Sequence, residues 1–413
     1  RQRQMCIRDR MYLSSTGCLT AGRKKAEHAL FPYVTDDLLH RNAHFTGPVT
    51  VIRIKGDDTN LVWRPFSHYE ESYETERNLH KNSLGNIVLF EEINHSLGLT
   101  FIYEWRSSAK YGFIRKSRLV NHHSNVLNVE LVDGLRNIMP DGVELRAQQE
   151  MSNLANAYKV SEYSPDSNCA FFFMNALVMD RPEPGESLYS NLVWSYYNGK
   201  KIISVSEQDI DRFANSGTLN GEHIIKGKPG CFLTKIEKTL EPKGEMYWYT
   251  VADVHKSQSE ITHIISDIRD TSKIELKLEE SIRENHLRLE NAVGSADGYQ
   301  CTNKTINDLH HTANSIFNLL RGGVFLKNYD LSTEDFLKFL KNRNKPIFEQ
   351  HFEAIHTLPN NIGLRDLVDF GDRTKDPSLR RLCREYLPLT PVSYTHLRAH
   401  ETRHDLVCRL LLE

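Results

Sequence analysis

The spacing of apolar residues changes near residue 255 from a period of two to one of about 3.6, and no other feature constrains the fold of this chain as tightly. Before that point, residues 46–249 carry short runs in which β-branched and other residues alternate. Runs 48–54 and 60–66 flank a Gly-Asp-Asp-Thr turn, and further runs follow at 86–93, 97–105, 113–120, 126–132, 169–179, 189–196, 232–240 and 246–254. Asn, Gly, Asp and Pro separate them. Strands that succeed one another with few helices between them predict a large antiparallel β-sandwich, not a doubly wound parallel sheet. Helical insertions are expected at 150–160 and 207–215.

Beyond His255, Ile261, Ile264, Ile265, Ile268, Ile274 and Leu276 recur at helical steps, and Leu278, Ile282, Leu287 and Leu289 continue the stripe. Further helices are predicted at 305–320, 333–340, 347–356 and 379–386, the second of them opening on Ser332-Thr333-Glu334-Asp335 as cap material. The fold class is therefore a β-rich antiparallel sandwich followed by an all-α segment, with the boundary near 255.

At 413 residues, with 39% hydrophobic and 26% charged content, the chain is long enough for two or three domains. Its net charge of −2 excludes the broad basic field that non-specific nucleic-acid binding needs, and no apolar run approaches the roughly 20 residues that span a bilayer. Seven cysteines without a CxxC pair predict neither a disulfide framework nor a zinc site.

The two ends share an origin outside the protein. Gln4-Met5-Cys6-Ile7-Arg8-Asp9-Arg10 can be written as the codons CAG ATG TGT ATA AGA GAC AG, whose reverse complement encodes Val392-Ser393-Tyr394-Thr395-His396 and begins Leu397. One DNA word read on opposite strands resembles a transposon end used in sequencing libraries, and residues 405–413 resemble the outer adaptor. Residues 1–10 and 391–413 are accordingly read as translated adaptor and set aside. The rest carries a charge of about −5, because residues 1–10 hold four Arg and one Asp while residues 391–413 hold three Arg, one Asp and two Glu. Five cysteines remain, an odd count that fits a reducing, cytoplasmic compartment.

Few motifs carry chemistry. Asp180-Arg181-Pro182-Glu183-Pro184-Gly185-Glu186-Ser187 reads as a proline-stiffened turn or as a polar ligand loop. Asp133-Gly134 is read as a strand end, with Gly134 free to take positive φ and Asn137 able to cap the following turn. Trp63, Phe66, Tyr69, Tyr73, Trp105, Tyr111, Trp194, Tyr196, Tyr197 and Trp248 are core residues or platforms for stacking sugar rings. Asn314 and the run Arg321-Gly322-Gly323 form the candidate substrate-binding set: guanidinium and bare backbone can approach an anion or a cluster of hydroxyls, although Arg in a last helical turn followed by Gly is also an ordinary helix end. His310 and His311 are adjacent, so they face different sides of a helix, and no metal site is expected. GxGxxG, GxxxxGK[ST], GxSxG and HExxH are all absent.

Phe31-Pro32-Tyr33-Val34-Thr35-Asp36-Asp37, the Asp180-Arg181-Pro182-Glu183-Pro184 loop before Val193-Trp194-Ser195, Phe317-Asn318-Leu319-Leu320-Arg321-Gly322-Gly323 and Glu385-Tyr386-Leu387-Pro388-Leu389-Thr390 together resemble the cellobiose-phosphorylase-like carbohydrate-active enzymes of glycoside hydrolase family 94 type. Leu240-Glu241-Pro242-Lys243-Gly244-Glu245 matches their LxPG-type turn loosely, because Lys243 stretches it. The resemblance implies a β-supersandwich over 11–254, a linker helix region over 255–298 and the start of an (α/α)6 barrel over 299–390. It also implies an inverting reaction on a disaccharide or oligosaccharide, in which a carboxylic acid protonates the leaving oxygen while phosphate or water attacks the opposite face. Inorganic phosphate would be a co-substrate and no cofactor is expected; a homodimer is possible, and neither nucleic acid nor membrane is an expected partner. A hydrolase of the same layout and a non-catalytic glycan-binding sandwich are the alternatives. The acid lies in mid-barrel in relatives, so Asp335, Asp366 and Glu385 qualify only as carboxylates in the right domain, and the chain by itself is expected to lack turnover.

Overall fold

The computed structural model describes residues 10–386 except 24–25, 35–38, 57–59, 68–71, 177–187, 297 and 322–329. Three short strands open it: β1 (Arg10–Leu13), β2 (Leu19–Arg23) and β3 (Ala29–Phe31). Seven more follow: β4 (Gly47–Lys55), β5 (Asn60–Trp63), β6 (Thr75–Lys81), β7 (Val88–Asn94), β8 (Leu99–Ser108), β9 (Gly112–Asn121) and β10 (Leu127–Ile138). Two short helices, α1 (Leu145–Glu150) and α2 (Ser152–Ala157), precede β11 (Lys159–Ser164), β12 (Cys169–Met174), β13 (Tyr189–Tyr196) and β14 (Lys201–Ser204). Helix α3 (Gln208–Ser216), β15 (Ile224–Lys226), β16 (Gly230–Leu240) and β17 (Glu245–Ser257) complete the β-rich part.

Two antiparallel sheets dominate. One has five strands in the order β14-β16-β10-β4-β5, the other nine in the order β15-β11-β12-β13-β17-β9-β8-β7-β6. Period-two alternation decides what each face touches. In the five-stranded sheet Ile52, Ile54, Leu131, Leu135, Phe232 and Ile236 enter the main core, where Phe101, Phe113, Trp248 and Ala252 of the nine-stranded sheet also sit. The alternate residues Val51, Val132, Cys231 and Leu233 turn to the other face and are covered by Ile210, Phe213 and Ala214 of α3. The larger sheet is treated in the same way. Ile114, Leu192, Trp194, Tyr249 and Val251 on its outer face pack with Ile264 and Ile268 of α4 (Gln258–Arg269) and with Ile274, Leu278 and Ile282 of α5 (Ile274–Ser295). Of the helical stripe legible after His255, Ile264, Ile265, Ile268, Ile274, Leu278 and Ile282 thus cover a sheet face, whereas Leu276 is exposed. Ser257 and Glu260 form a reciprocal capping box that starts α4 at the residue where β17 ends.

Several sequence expectations are corrected. The helix expected at 150–160 stops at Ala157, and Lys159 and Val160 already belong to β11. The charged run of β6 carries little apolar signal and the four-residue β14 is too short to read; β6 is an edge strand, exposed along most of its length, where pairing alone makes the strand. Strand β10 does not end at Asp133-Gly134. Gly134 lies in mid-strand without positive φ, and a Cβ there would come within 1.9 Å of the Phe232 carbonyl oxygen of β16. Close approach of two strands, not turn geometry, requires this glycine. The positive φ falls on Asn137, at 56°.

The described residues divide into two compact units between His286 and Leu287, inside α5. The second unit continues with α6 (Thr305–Arg321), β18 (Asp330–Ser332), α7 (Thr333–Arg343), α8 (Lys345–Gln350), α9 (Phe352–His356), β19 (Asn361–Gly363), α10 (Leu364–Arg373) and α11 (Pro377–Glu385). Strands β18 and β19 pair as a two-stranded ribbon. Leu331, Phe336, Leu340, Ile355, Ile362, Leu367, Leu379, Leu382 and Tyr386 form one apolar core beneath it. Among the described residues no helix is long and apolar enough to cross a membrane.

Candidate functional site

Inside the sandwich, an inward position of β10 that would ordinarily be aliphatic carries Asp133, between Leu131 and Leu135. Its carboxylate, fully buried, accepts two bonds from Arg115 Nη1 of β9, at 2.7 and 2.8 Å, and Arg115 is equally buried. Trp248 Nε1 donates at 2.6 Å and Thr50 Oγ1 at 2.7 Å to the same carboxylate. Arg115 also lies over the Tyr103 ring, 4.4 Å from its centroid. Such a pair persists in a low-dielectric interior because nearly every lone pair and proton of the carboxylate's surroundings is engaged.

Arg115, Thr50 and Tyr103 of this network line a cavity of about 280 Å³. Its walls are β4, the turn at Thr16-Gly17, the loop Arg64-Pro65-Phe66-Ser67 and the first turn of α3, with Arg136 of β10. The loop is tethered by a second buried carboxylate. Glu92 accepts from Trp63 Nε1 at 2.8 Å, from the Phe66 backbone N–H at 2.7 Å and from Arg77 Nε at 2.7 Å. Phe66 sits at a φ of 62°, a conformation costly for an aromatic residue that this hydrogen bond helps to fix. At the rim Arg64 Nη2 meets Asp211 Oδ1 at 3.3 Å. Burial holds Arg136 below the usual guanidinium value and pushes the Tyr103 phenol up. Arg115 Nε and Arg136 Nε are buried donors with no acceptor among the described residues. Three guanidinium groups, the carboxylates of Glu207 and Asp211, a phenol and aromatic edges suit a polyhydroxylated ligand.

The residues singled out by sequence fall elsewhere. Asn314 is exposed on α6, and Arg321 ends that helix; the Arg321 side chain, Gly322 and Gly323 lie outside the described residues, as does the Asp180-Arg181-Pro182-Glu183-Pro184 loop. Asp335, Asp366 and Glu385 are exposed, and Asp335 and Glu385 pair with Lys338 and Arg381 on their own helices. Trp63, Trp105, Tyr111, Trp194 and Trp248 are core residues, none more than 3% exposed, so they offer no sugar platform. Arg115 and Asp133 were missed, although an acidic residue two places from aliphatics on either side is a legible signal for a charge turned inward. Cys18, Cys169, Cys231 and Cys383 are buried free thiols, and Cys301 is exposed.

Residues 325–388 match the sequence model of glycoside hydrolase family 149 insertion domain 1. The match covers the ribbon and α7 to α11, and it agrees with the resemblance of the chain's motifs to carbohydrate-active enzymes. No curated protein matches the sequence. Among solved structures, a protein described as a kojibiose phosphorylase from the human microbiome is similar at 11% identity and a TM-score of 0.38, over 66% of this chain and 32% of its own. A bacterial glucoamylase complexed with acarbose is similar at 9% identity and a TM-score of 0.39, over 76% of this chain and 46% of its own. A polysaccharide lyase is similar at 9% identity and a TM-score of 0.35, over 62% and 33%. The chain spans less than half the length of each.

Proposed function

We propose that the chain serves an inverting glycoside phosphorylase that cleaves a disaccharide or oligosaccharide with inorganic phosphate. The observation that carries this reading is the glycoside hydrolase family 149 match over 325–388, on a chain whose preceding residues form an antiparallel two-sheet unit. In the reaction the bond between anomeric carbon and bridging oxygen breaks, a carboxylic acid protonates that oxygen, and a phosphate oxygen bonds to the carbon from the opposite face. Asn314, Arg321, Gly322 and Gly323 are the proposed contacts to sugar or phosphate. The cavity above Arg115 is proposed as a second place where hydroxyl oxygens find guanidinium donors. A hydrolase of the same layout is the second reading, favoured by the description of the matched family as glycoside hydrolases.

Incubating the whole protein with β-linked disaccharides, with and without phosphate, separates the two. A sugar 1-phosphate formed only with phosphate supports phosphorolysis, free sugar in both cases supports hydrolysis, and no product from any glycan overturns both. Arg321→Ala is expected to lower kcat/KM at unchanged Tm; a lowered Tm at unchanged kcat/KM would make it a helix cap instead.

A further inference from the structure

His28, Asp141 and His255 come from three distant parts of the sequence, yet their ligand-capable atoms lie within 4.8 Å of one another. His28 Nδ1 is 3.0 Å from Asp141 Oδ1, and His255 Nδ1 is 3.2 Å from Asp141 Oδ2. The two imidazole rings face each other at 3.7 Å and 33°. Four ligands around zinc, with bonds of about 2.0–2.1 Å in a tetrahedron, stand roughly 3.3 Å apart, close to the nitrogen–oxygen separations found here.

The surroundings fix this arrangement from several sides. Asn191 of β13 is fully buried, and its side chain ties together the backbones that carry all three groups. Its Nδ2 donates to the Ala29 carbonyl at 3.0 Å and to the Met139 carbonyl at 2.8 Å, while its Oδ1 accepts from the His255 backbone N–H at 3.0 Å. The first two carbonyls are one residue after His28 and two before Asp141. Those segments are laced again by Met139 N to Leu30 O at 2.8 Å and Gly142 N to Glu27 O at 2.9 Å. On β17 the pairing slips opposite Asn191: Ser190 faces Lys256 and Leu192 faces Asp253, so Val254 and His255 share one partner position. This bulge, with His255 at a φ of 53°, turns the His255 imidazole toward Asp141. Tyr189 stacks on the outer side of the His255 ring at 4.0 Å and 19°. The Asp141 side chain is 5% exposed, against 19% for His28 and 30% for His255. One side of the trio therefore faces solvent.

We propose that His28, Asp141 and His255 bind a divalent late first-row cation, zinc foremost, with two imidazole nitrogens, one carboxylate oxygen and a solvent-filled fourth position. Two neutral imidazoles and one carboxylate are a donor set suited to zinc, and outer groups that hold such ligands in place, as Asn191 does here, raise affinity for it. The site pins the chain where β17 passes into α4, and it is independent of the glycosidic reading. It departs from the expectation of no metal site, which rested on the cysteine pattern and on the neighbours His310 and His311; residues 113 and 114 positions apart carry no spacing motif.

The test is titration of the chelator-treated full chain with zinc chloride by calorimetry, with Tm followed in parallel. One equivalent per chain, a rise in Tm of several degrees, and at least ten-fold weaker binding in His28→Gln, Asp141→Asn and His255→Gln are expected. No binding by the parent chain, or affinity retained in all three variants, overturns the proposal. Should the variants fail to fold, zinc X-ray absorption on the parent chain decides: two imidazoles in the coordination shell support the site, and fewer than two refute it.

Discussion

The two units solve the problem of an interior differently. The sandwich buries charged groups such as Arg115, Asp133 and Glu92 and several hydroxyls among its aromatic residues, and keeps a cavity beside them. The unit that holds the ribbon and α7 to α11 has an apolar core and places its ion pairs, such as Lys338 with Glu334 and Arg380 with Asp372, at the surface. Buried charge raises the cost of a wrong arrangement; surface charge costs little either way. The sandwich interior is therefore the one built to hold a specific polar geometry, and the helical core the one built by shape and volume.

Four perturbations would break or sharpen that contrast. Asp133→Ala leaves Arg115 buried without its partner and is expected to destabilise the sandwich by about 3–5 kcal/mol in denaturant unfolding, whereas Arg115→Met with Asp133→Leu is expected to lose less, because it removes the orphaned charge and strands only the Trp248 and Thr50 donors. Equal losses in the single and the double variant would show that the network does not act through charge. In the other unit Leu382→Ala opens a cavity in an all-apolar core, for an expected loss of about 2–5 kcal/mol that no second substitution of a charge restores. Ser257→Ala removes the capping box at the β17-to-α4 junction and is expected to lower stability by about 1 kcal/mol; an unchanged Tm would mean that packing on the sheet holds α4 without its cap.

The smallest effect concerns pH. The hydrogen bond from His351, with help from the Ser378 backbone N–H, holds the Asp376 carboxyl below its ordinary value. A carboxyl with a lowered native pKa contributes stability that is complete above the unfolded value of about 3.9 and is lost as pH falls through the native one. Melting of the helical unit followed below pH 4 is expected to show this loss, and Asp376→Asn to flatten it; identical acid profiles would assign the acid response to other carboxylates.

Much of the layout was legible because alternation and helical stripe are local. The β13 run at Tyr189–Tyr196 coincides with its reading from sequence, and α6 begins at Thr305 as expected. Strands rich in charge were not legible, since the neighbour that pairs with β6 is what makes it a strand. The candidate site was less visible than the fold. Arg115 and Asp133 lie 18 positions apart and meet only because β9 and β10 enter different sheets that face each other. Glu92 reads as one acidic residue among neighbours until Trp63, Phe66 and Arg77 converge on it.

What the sequence by itself determined is the class of each segment, the point where strands give way to helices, and the resemblance to carbohydrate-active enzymes that the match over 325–388 supports. What only the tertiary structure decided is which polar side chains share an interior. Periodicity assigns a residue to a face, but two faces become one site only when sheets stack, and a buried Asn191 or Asp133 acquires its meaning from partners that chain distance conceals.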